Sequence, residues 1–395
     1  MNPEASPDVL IVGAGPAGLA LATALARAGL RSRVVEQQPL AAIAQPAEDG
    51  REIALTHRGR RILQDLGHWE RIPAAEISLL REARVSSGDS PFALPFDARS
   101  AGQESLGWLV PNWQLRQVAY EAAAAEALVT LDTGRSVTGL LRDGQGATLK
   151  LADGGELRAP IVVAADSRFS AVRRMAGIGA QMLDFGRTAI VVRFEHGDDH
   201  RGIAHECFRY GNTLATLPLP GQLSSAVVTL KADEAPHWLA LSDTDFAARL
   251  QAQLGGRLGQ VRMAGRRHHY PLVAVYAQRF ATSRFALAGD AAVGMHPVTA
   301  HGYNFGLYSV EVLARELAKG TDDPALIRYA AEHRRVTWPI YEGTNAVVRL
   351  FTDDRLPAKL LRGAVLRVAS ALPPVRELVA RQLTTPHRTA ATQTP

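Results

Sequence analysis

Apolar positions early in the chain form a short continuous run, then a helical stripe, then a second short run. Val9 to Val12 reads as a buried strand, Pro16 to Arg27 as a helix ended by Gly29, and Arg33 to Glu36 as a second strand closing on an acid. Unbroken apolar strands separated by a helix are the pattern of a parallel sheet covered on both faces, so the chain predicts an opening βαβ unit. Arg60 to Leu66 looks helical, Trp69 to Gly107 is irregular with possible short strands, and Leu115 to Ala127 is an alanine-rich helix. Strands follow at Val129 to Asp132, Val137 to Arg142, Thr148 to Leu151 and Ile161 to Ala165, with turns at Asp143-Gly144 and Asp153-Gly154.

Between Gly186 and Tyr270 the pattern is mostly strands, including Thr188 to Phe194, Leu214 to Leu217 and Ser224 to Leu230, which predicts a second domain with its own sheet. After Phe280 the chain returns to the first domain through an apolar strand, Phe285 to Ala288. A helix then runs from Gly302 to about Lys319, with Leu307, Val310, Ala314 and Leu317 on one face. The expected class is α/β: a Rossmann-like domain, a sheet-based second domain and a helical C-terminus. The division expected is 1–178 (with an irregular insertion at about 70–107), 179–280, 281–345 and 346–395.

Composition changes little. The 395 residues are 47% hydrophobic and 21% charged, an ordinary globular balance. No window approaches the roughly 18 consecutive apolar residues of a membrane span, and the apolar N-terminal run follows Glu4 and Asp8 rather than a basic region. A cytoplasmic protein is expected. Cys207 is the single cysteine, which rules out an intrachain disulfide and a thiolate zinc site. The net charge is +5, but only four of 44 basic residues are lysines and the arginines are scattered, which argues against a nucleic-acid surface.

One stretch stands apart. From Arg355 to Arg388 seven basic residues face one acid, Glu377, and alternate with leucines and valines. It reads either as a basic amphipathic pair on an anionic membrane surface, giving a peripheral location, or as a C-terminal helix docked on the body with its arginines in water.

The chemistry lies in the joints between strands and helices. Gly13-Ala14-Gly15-Pro16-Ala17-Gly18 follows the first strand: Gly13 makes the tight turn, Gly15 lets the backbone approach a pyrophosphate, and Gly18 lets helix pack on strand. The helix N-terminus turns unpaired N–H groups toward those phosphates. Glu36, 18 residues beyond Gly18, lies near the spacing at which a carboxylate accepts from a ribose 2′-hydroxyl. Far along the chain, Gly289 and Asp290 sit at the carboxyl end of another strand, where Asp290 can accept from a ribityl hydroxyl. The N-terminus of the Gly302 helix, with the Tyr303 and Asn304 amides, suits negative charge on a reduced flavin ring. One extended cofactor with two ends, FAD, satisfies both motifs.

These motifs resemble those of the single-component FAD-dependent aromatic hydroxylases. The third matches at Gly289, Asp290, Ala291, Ala292, Pro297, Gly302 and Asn304, and a middle motif corresponds to Ile161 to Arg173, including Asp166. Asp49 to Leu55, Leu66-Gly67-His68-Trp69, Leu217 to Pro220 and Tyr270-Pro271-Leu272 are similar to the ubiquinone-biosynthesis hydroxylases. Ala-Ala-Asp-Ser-Arg-Phe-Ser and His-Pro-Val-Thr-Ala-His-Gly resemble the UbiM-like branch. The likeness covers nearly the whole chain. It implies the aromatic-hydroxylase flavoprotein fold, and a monooxygenase in which NADH or NADPH reduces FAD, molecular oxygen adds, and the hydroperoxide transfers a hydroxyl to a prenylated phenol or quinol. By the same analogy Arg51 and Asn112 approach the flavin, Asp166 and Ala17 belong to the cofactor loops, Pro297 lines the ring face, and a quinone biosynthesis complex is a conceivable partner.

The chain departs from the family pattern twice. Ser167 replaces the middle motif's glycine, which bears on direct use of NAD(P)H, and Ala300-His301 replaces the usual Gly-Gln. His301 could donate to the reduced ring, and His296 could relay the phenol proton, or both could simply shape the loop. The pair His268-His269 does not read as a metal site, because neighbours on a strand face opposite ways and no acid is suitably spaced. Three functions remain open: a ubiquinone-precursor hydroxylase, the same chemistry on another aromatic metabolite, or a non-catalytic flavin-binding subunit.

Overall fold

The computed structural model describes residues 6–87, 93–208, 211–297 and 301–352. Val9–Val12, apolar and buried throughout, is the centre of a six-stranded sheet. It pairs in parallel with Ile161–Ala164 on one side and Ser32–Glu36 on the other; Phe285–Leu287 and Val129–Thr133 lie outside these, and Ala281–Thr282 forms an antiparallel edge. Helix Pro16–Arg27 covers one face and packs against Gly302–Leu317. The latter helix differs from the one-faced reading: besides Leu307, Val310, Ala314 and Leu317 it buries Phe305, Tyr308, Val312 and Leu313, because a second helix, Asp323–Thr352, lies along it. That helix runs unbroken through position 346, and the basic stretch from Arg355 onward lies outside the described residues.

The second sheet has eight strands, ordered Val293–Gly294, Val261–Ala277, Ala180–His196, Leu223–Lys231, Thr213–Pro218, Ile203–Phe208, Glu82–Ser87 and Ala93–Asp97. Its last two strands come from the stretch read as irregular with possible short strands. They are short, charge-bearing and at the sheet edge, where alternation is weak. The two 17-residue strands were also concealed, because register shifts between Asp184 and Thr188 and between Val191 and Arg193 break their period. Two helices missed by the strand reading, Ala235–Leu239 and Asp243–Leu254, cover the outer face. There Phe194, Cys207, Leu214, Val228, Trp238, Phe246 and Leu250 form a core. The inner face turns toward the first domain, as the Arg193–Glu52 ion pair demonstrates.

Candidate active site

Four parallel strands deliver their carboxyl ends to one place: Gly13 after the first, Glu36 after the second, Asp166 after Ile161–Ala164, and Gly289 after Phe285–Leu287. Adjacent strands whose crossovers leave in opposite directions open a crevice at those ends, the usual ligand position in such sheets. Close approach fixes the glycines. A Cβ on Gly18 would stand 2.0 Å from the Gly13 carbonyl oxygen, and one on Gly13, at φ +107°, would meet the Ala165 carbonyl oxygen at 2.6 Å. Gly15 is different, with open space on its Cβ side. Glu36 clamps the loop: its Oε2 accepts from the Ala14 amide at 2.8 Å and its Oε1 from the Gln38 amide at 2.9 Å.

The late motif is tied into the same crevice. The Gly289 amide donates to Ser309 Oγ at 3.0 Å, and Ser309 donates to the Gly306 carbonyl at 2.6 Å. The Ala17 methyl packs at Gly289 and Gly306, joining the two helix N-termini. Asp290 accepts from Arg168 at 3.1 Å, and the same guanidinium donates to the Val273 carbonyl in the second sheet at 3.1 Å. Asn304, within the first turn of its helix, turns its carboxamide back onto the Glu52–Leu55 strand, with Nδ2 donating to the Ala54 carbonyl at 2.8 Å. Asp166 Oδ2 accepts from the Ala171 amide at 3.1 Å, whereas Oδ1 is buried with no hydrogen-bond partner among the described residues. The Tyr303 hydroxyl is likewise buried and unpartnered among them, and burial raises its pKa so that it stays a neutral donor.

The facing wall centres on Asp49, a residue that the motif reading left without a role. Its carboxylate accepts from Arg51 Nη2 at 2.6 Å and Asn112 Nδ2 at 2.7 Å, and its carbonyl accepts from the Tyr270 hydroxyl at 2.6 Å. Burial alone would raise the Asp49 pKa, but the Arg51 charge and these hydrogen bonds override it and hold the group ionised below the usual carboxylate range. Arg51 also lies 5.2 Å from the Tyr270 ring centroid. Gly50, at φ +71°, passes so close to His268 that a Cβ would lie 2.7 Å from its Cδ2, so His268 is a packing residue against this wall. Glu52, its side chain fully buried, is paired with Arg193 at 2.8 Å. Burial still leaves the Glu52 carboxyl above its ordinary pKa despite that partner.

His296 and Pro297 precede residues 298–300, which are outside the description. The His296 ring is buried, edge-on to Phe185 at 4.9 Å, and burial together with the Arg187 charge pushes its pKa down to about 4, so it is neutral near pH 7. His301 occupies the N-cap position of its helix, and its ring lies 5.5 Å from Phe305. The structure brings the loop from Gly13 to Gly18, Glu36, Asp166, Gly289 and Asp290 together at the carboxyl edge of the sheet, ties Asn304 to the Glu52–Leu55 strand, and joins Arg51 to Asn112 through Asp49. Sequence reading missed Asp49, Ser309, Arg168 and the Glu52–Arg193 pair. Only Asp49 offered a local signal, its position two residues before Arg51.

A dinucleotide fits these surroundings. Gly15 and Gly302 stand at the N-termini of two long helices, and neither has anything within 4 Å on its Cβ side. Such N-termini favour phosphate at one end and an electron-rich ring at the other. The unpartnered Asp166 oxygen is free to accept from a polyol hydroxyl between them.

The comparisons agree with this geometry. A family described as FAD binding domain matches residues 6–344. Ubiquinone hydroxylase UbiM of Neisseria meningitidis is 44% identical over 388 residues, covering 95% of this chain and 84% of that protein. Ubiquinone hydroxylase UbiL of Rhodospirillum rubrum is 39% identical, covering 95% of this chain and 88% of that protein. Among solved structures, p-nitrophenol 4-monooxygenase PnpA of Pseudomonas putida superposes with a TM-score of 0.78 at 20% identity, covering 97% of this chain and 99% of that one, a likeness of fold.

Proposed function

This chain belongs to the FAD-binding-domain family and its ubiquinone-hydroxylase branch, and we propose that it hydroxylates the aromatic ring of a polyprenylated ubiquinone precursor. The observation that carries the reading is the pairing of two open helix N-termini, at Gly15 and Gly302, along one crevice facing a second sheet. FAD, once bound and reduced by NADH or NADPH, supplies the activation of molecular oxygen. The chain's own residues bind, orient and exclude water. Gly13, Gly15, Ala17 and Gly18 hold the pyrophosphate, Glu36 the adenosine ribose, and Asp166 with Asp290 the ribityl chain. The Gly302, Tyr303 and Asn304 amides face the pyrimidine edge of the ring, while Arg51 and Asn112, fixed by Asp49, form the opposite wall. His296 and Pro297 border the substrate side, where the neutral His296 ring is in the form that accepts a phenolic proton. His301 stands at the N-cap position of the ring-binding helix.

No helix among the described residues is long and apolar enough to cross a membrane. A polyprenyl tail partitions into the bilayer, so the enzyme takes its substrate at a membrane surface or from a biosynthetic complex seated there. The basic, leucine-rich stretch from Arg355 to Arg388 is the proposed contact. Quinone profiling of a deletion strain tests the function: an under-hydroxylated prenylated precursor should accumulate and disappear on complementation. A normal quinone profile in the deletion strain would refute it.

A further inference from the structure

The inner face of the eight-stranded sheet carries one carboxyl that nothing above employs. Glu206 lies on Ile203–Phe208, and the pairing register places it in a row with Leu94 and Val85 on one side and Ala215, Val227 and Val191 on the other. Registered partners share a face. Its neighbour Cys207 points the opposite way, into the core beneath the outer helices. Two positions away on the Glu206 side, Ala204 packs with Leu80, Ala98 and Leu106 of the first domain's side. The Glu206 row therefore looks into the space between the sheet and the cofactor domain.

Leu94 and Val85, at one end of the row, pack with Phe208, Phe96 and Leu350, but the described residues leave the rest of the row incompletely covered. Val85, Ala215 and Val227, on interior strands of the sheet, are only partly buried, whereas Leu214 and Val228 beside them on the outer face are fully buried. The cleft is bordered by the Glu52–Arg193 pair at one end of the sheet and by His296 against Phe185 near the other. Glu206 makes no hydrogen bond or ion pair among the described residues, and burial without a partner pushes its pKa up to about 8. The row around Glu206 is apolar, with Thr213, Ser225 and Thr229 further along the same face, and a mostly apolar wall with a few polar groups is the composition of a small-molecule site, in which those groups fix orientation.

We propose that Glu206 is the substrate-orienting residue of this hydroxylase, its carboxyl hydrogen-bonding a ring oxygen of the prenylated phenol while the apolar row beside it receives the ring and prenyl chain. This rests on the function proposed above and names the residue that anchors its substrate. Along the sheet, Glu206 lies about three strand spacings, roughly 14 Å, from Val191. The other ionisable groups on this face are Arg193, held by Glu52, and Glu195, paired with Arg262, together with His268, Tyr270, Arg187 and Lys231; none is bonded to Glu206.

The test uses the FAD-loaded full-length chain, with 2-geranylphenol and geranylbenzene as probes and binding read from perturbation of the flavin absorbance. At pH 7 the wild-type chain should prefer the phenol by about tenfold or more, as expected where a buried group bonds a substrate hydroxyl. Its affinity for the phenol should fall above about pH 8 as the carboxyl ionises. Glu206→Leu should bind both probes alike, with unchanged FAD content. Glu206→Gln, which keeps a donor, should retain the preference but lose the alkaline fall. A preference and pH profile unchanged in both variants would overturn this assignment and leave the hydroxylase reading standing. Failure of the wild-type chain to bind either probe would overturn both.

Discussion

Asn304 Oδ1 accepts from both the Thr56 amide and the Thr56 hydroxyl, each at 3.0 Å, across 248 positions of sequence. The bond fixes the first turn of the ring-binding helix against the strand that leads from Asp49 to Leu55. It also explains Gly59, where a Cβ would stand 2.3 Å from that same oxygen. Asn304→Ala removes these contacts and the one to the Ala54 carbonyl, leaving buried donors unpaired at a cost of about 1–3 kcal/mol. Thermal unfolding should show a lower midpoint, and the variant should purify with less FAD. A full flavin complement at unchanged Tm would show that the bridge positions nothing.

Two glycines three residues apart, Gly15 and Gly18, should respond oppositely to the same methyl. Gly18→Ala drives a Cβ into the Gly13 carbonyl and should give little folded protein. Gly15→Ala meets open space at an ordinary φ of −70°, so it should fold normally yet bind FAD at least about tenfold more weakly, because the methyl takes the room a phosphate needs. Circular dichroism and flavin titration separate the two. Equal FAD affinity in Gly15→Ala would remove the phosphate role from this loop.

The Arg193–Glu52 pair joins the domains beside the substrate cleft. Arg193→Leu leaves a buried carboxylate without its counter-charge, a loss of about 3–5 kcal/mol, and Glu52→Leu in the same chain should restore most of it. The Glu52 pKa is already raised by burial, so its folded value exceeds its unfolded one. Stability from this group is then present at low pH and lost as pH rises through the folded pKa. Arg193→Leu should therefore be more destabilised in urea at pH 8 than at pH 5. An equal deficit at both values would contradict the pairing.

These residues also mark what sequence could and could not reveal. Gly13, Gly15, Gly18, Glu36 and Asp290 follow strands at spacings set by local backbone geometry, so a short window locates them at the sheet's carboxyl edge. Ser309 and the Arg193–Glu52 pair depend on distant partners, 141 positions apart in the pair, and nothing local distinguishes them from ordinary surface polarity. The same limit hid the Glu82–Ser87 and Ala93–Asp97 strands, which gain their place only by pairing with Ile203–Phe208 and each other. Glu206 is the extreme case: in sequence it is one glutamate in a strand, and only the cross-strand register assigns its face.

Histidine burial sets the acid limit of the fold. His68, fully buried, has both ring nitrogens without a hydrogen-bond partner among the described residues, and desolvation, aided by Arg27 and Arg71, pushes its pKa down to about 4. His205 and His296 are pushed down to about 4 by burial as well. With folded pKa values below the unfolded value of about 6.5, the unfolded chain binds more protons in the interval between, so each group costs stability as pH falls from about 6.5 toward 4. The loss per histidine is about 1–3 kcal/mol. Glu52 and Glu206, whose folded pKa values are raised, act with the opposite sign, gaining stability as pH falls. His68 is remote from the crevice, between Leu66 and the Trp69–Arg71 turn. His68→Phe should then leave hydroxylation unchanged while reducing the fall in urea midpoint between pH 7 and pH 5. An acid slope identical to that of the wild-type chain would mean that His68 is already charged in the folded protein, contrary to its burial.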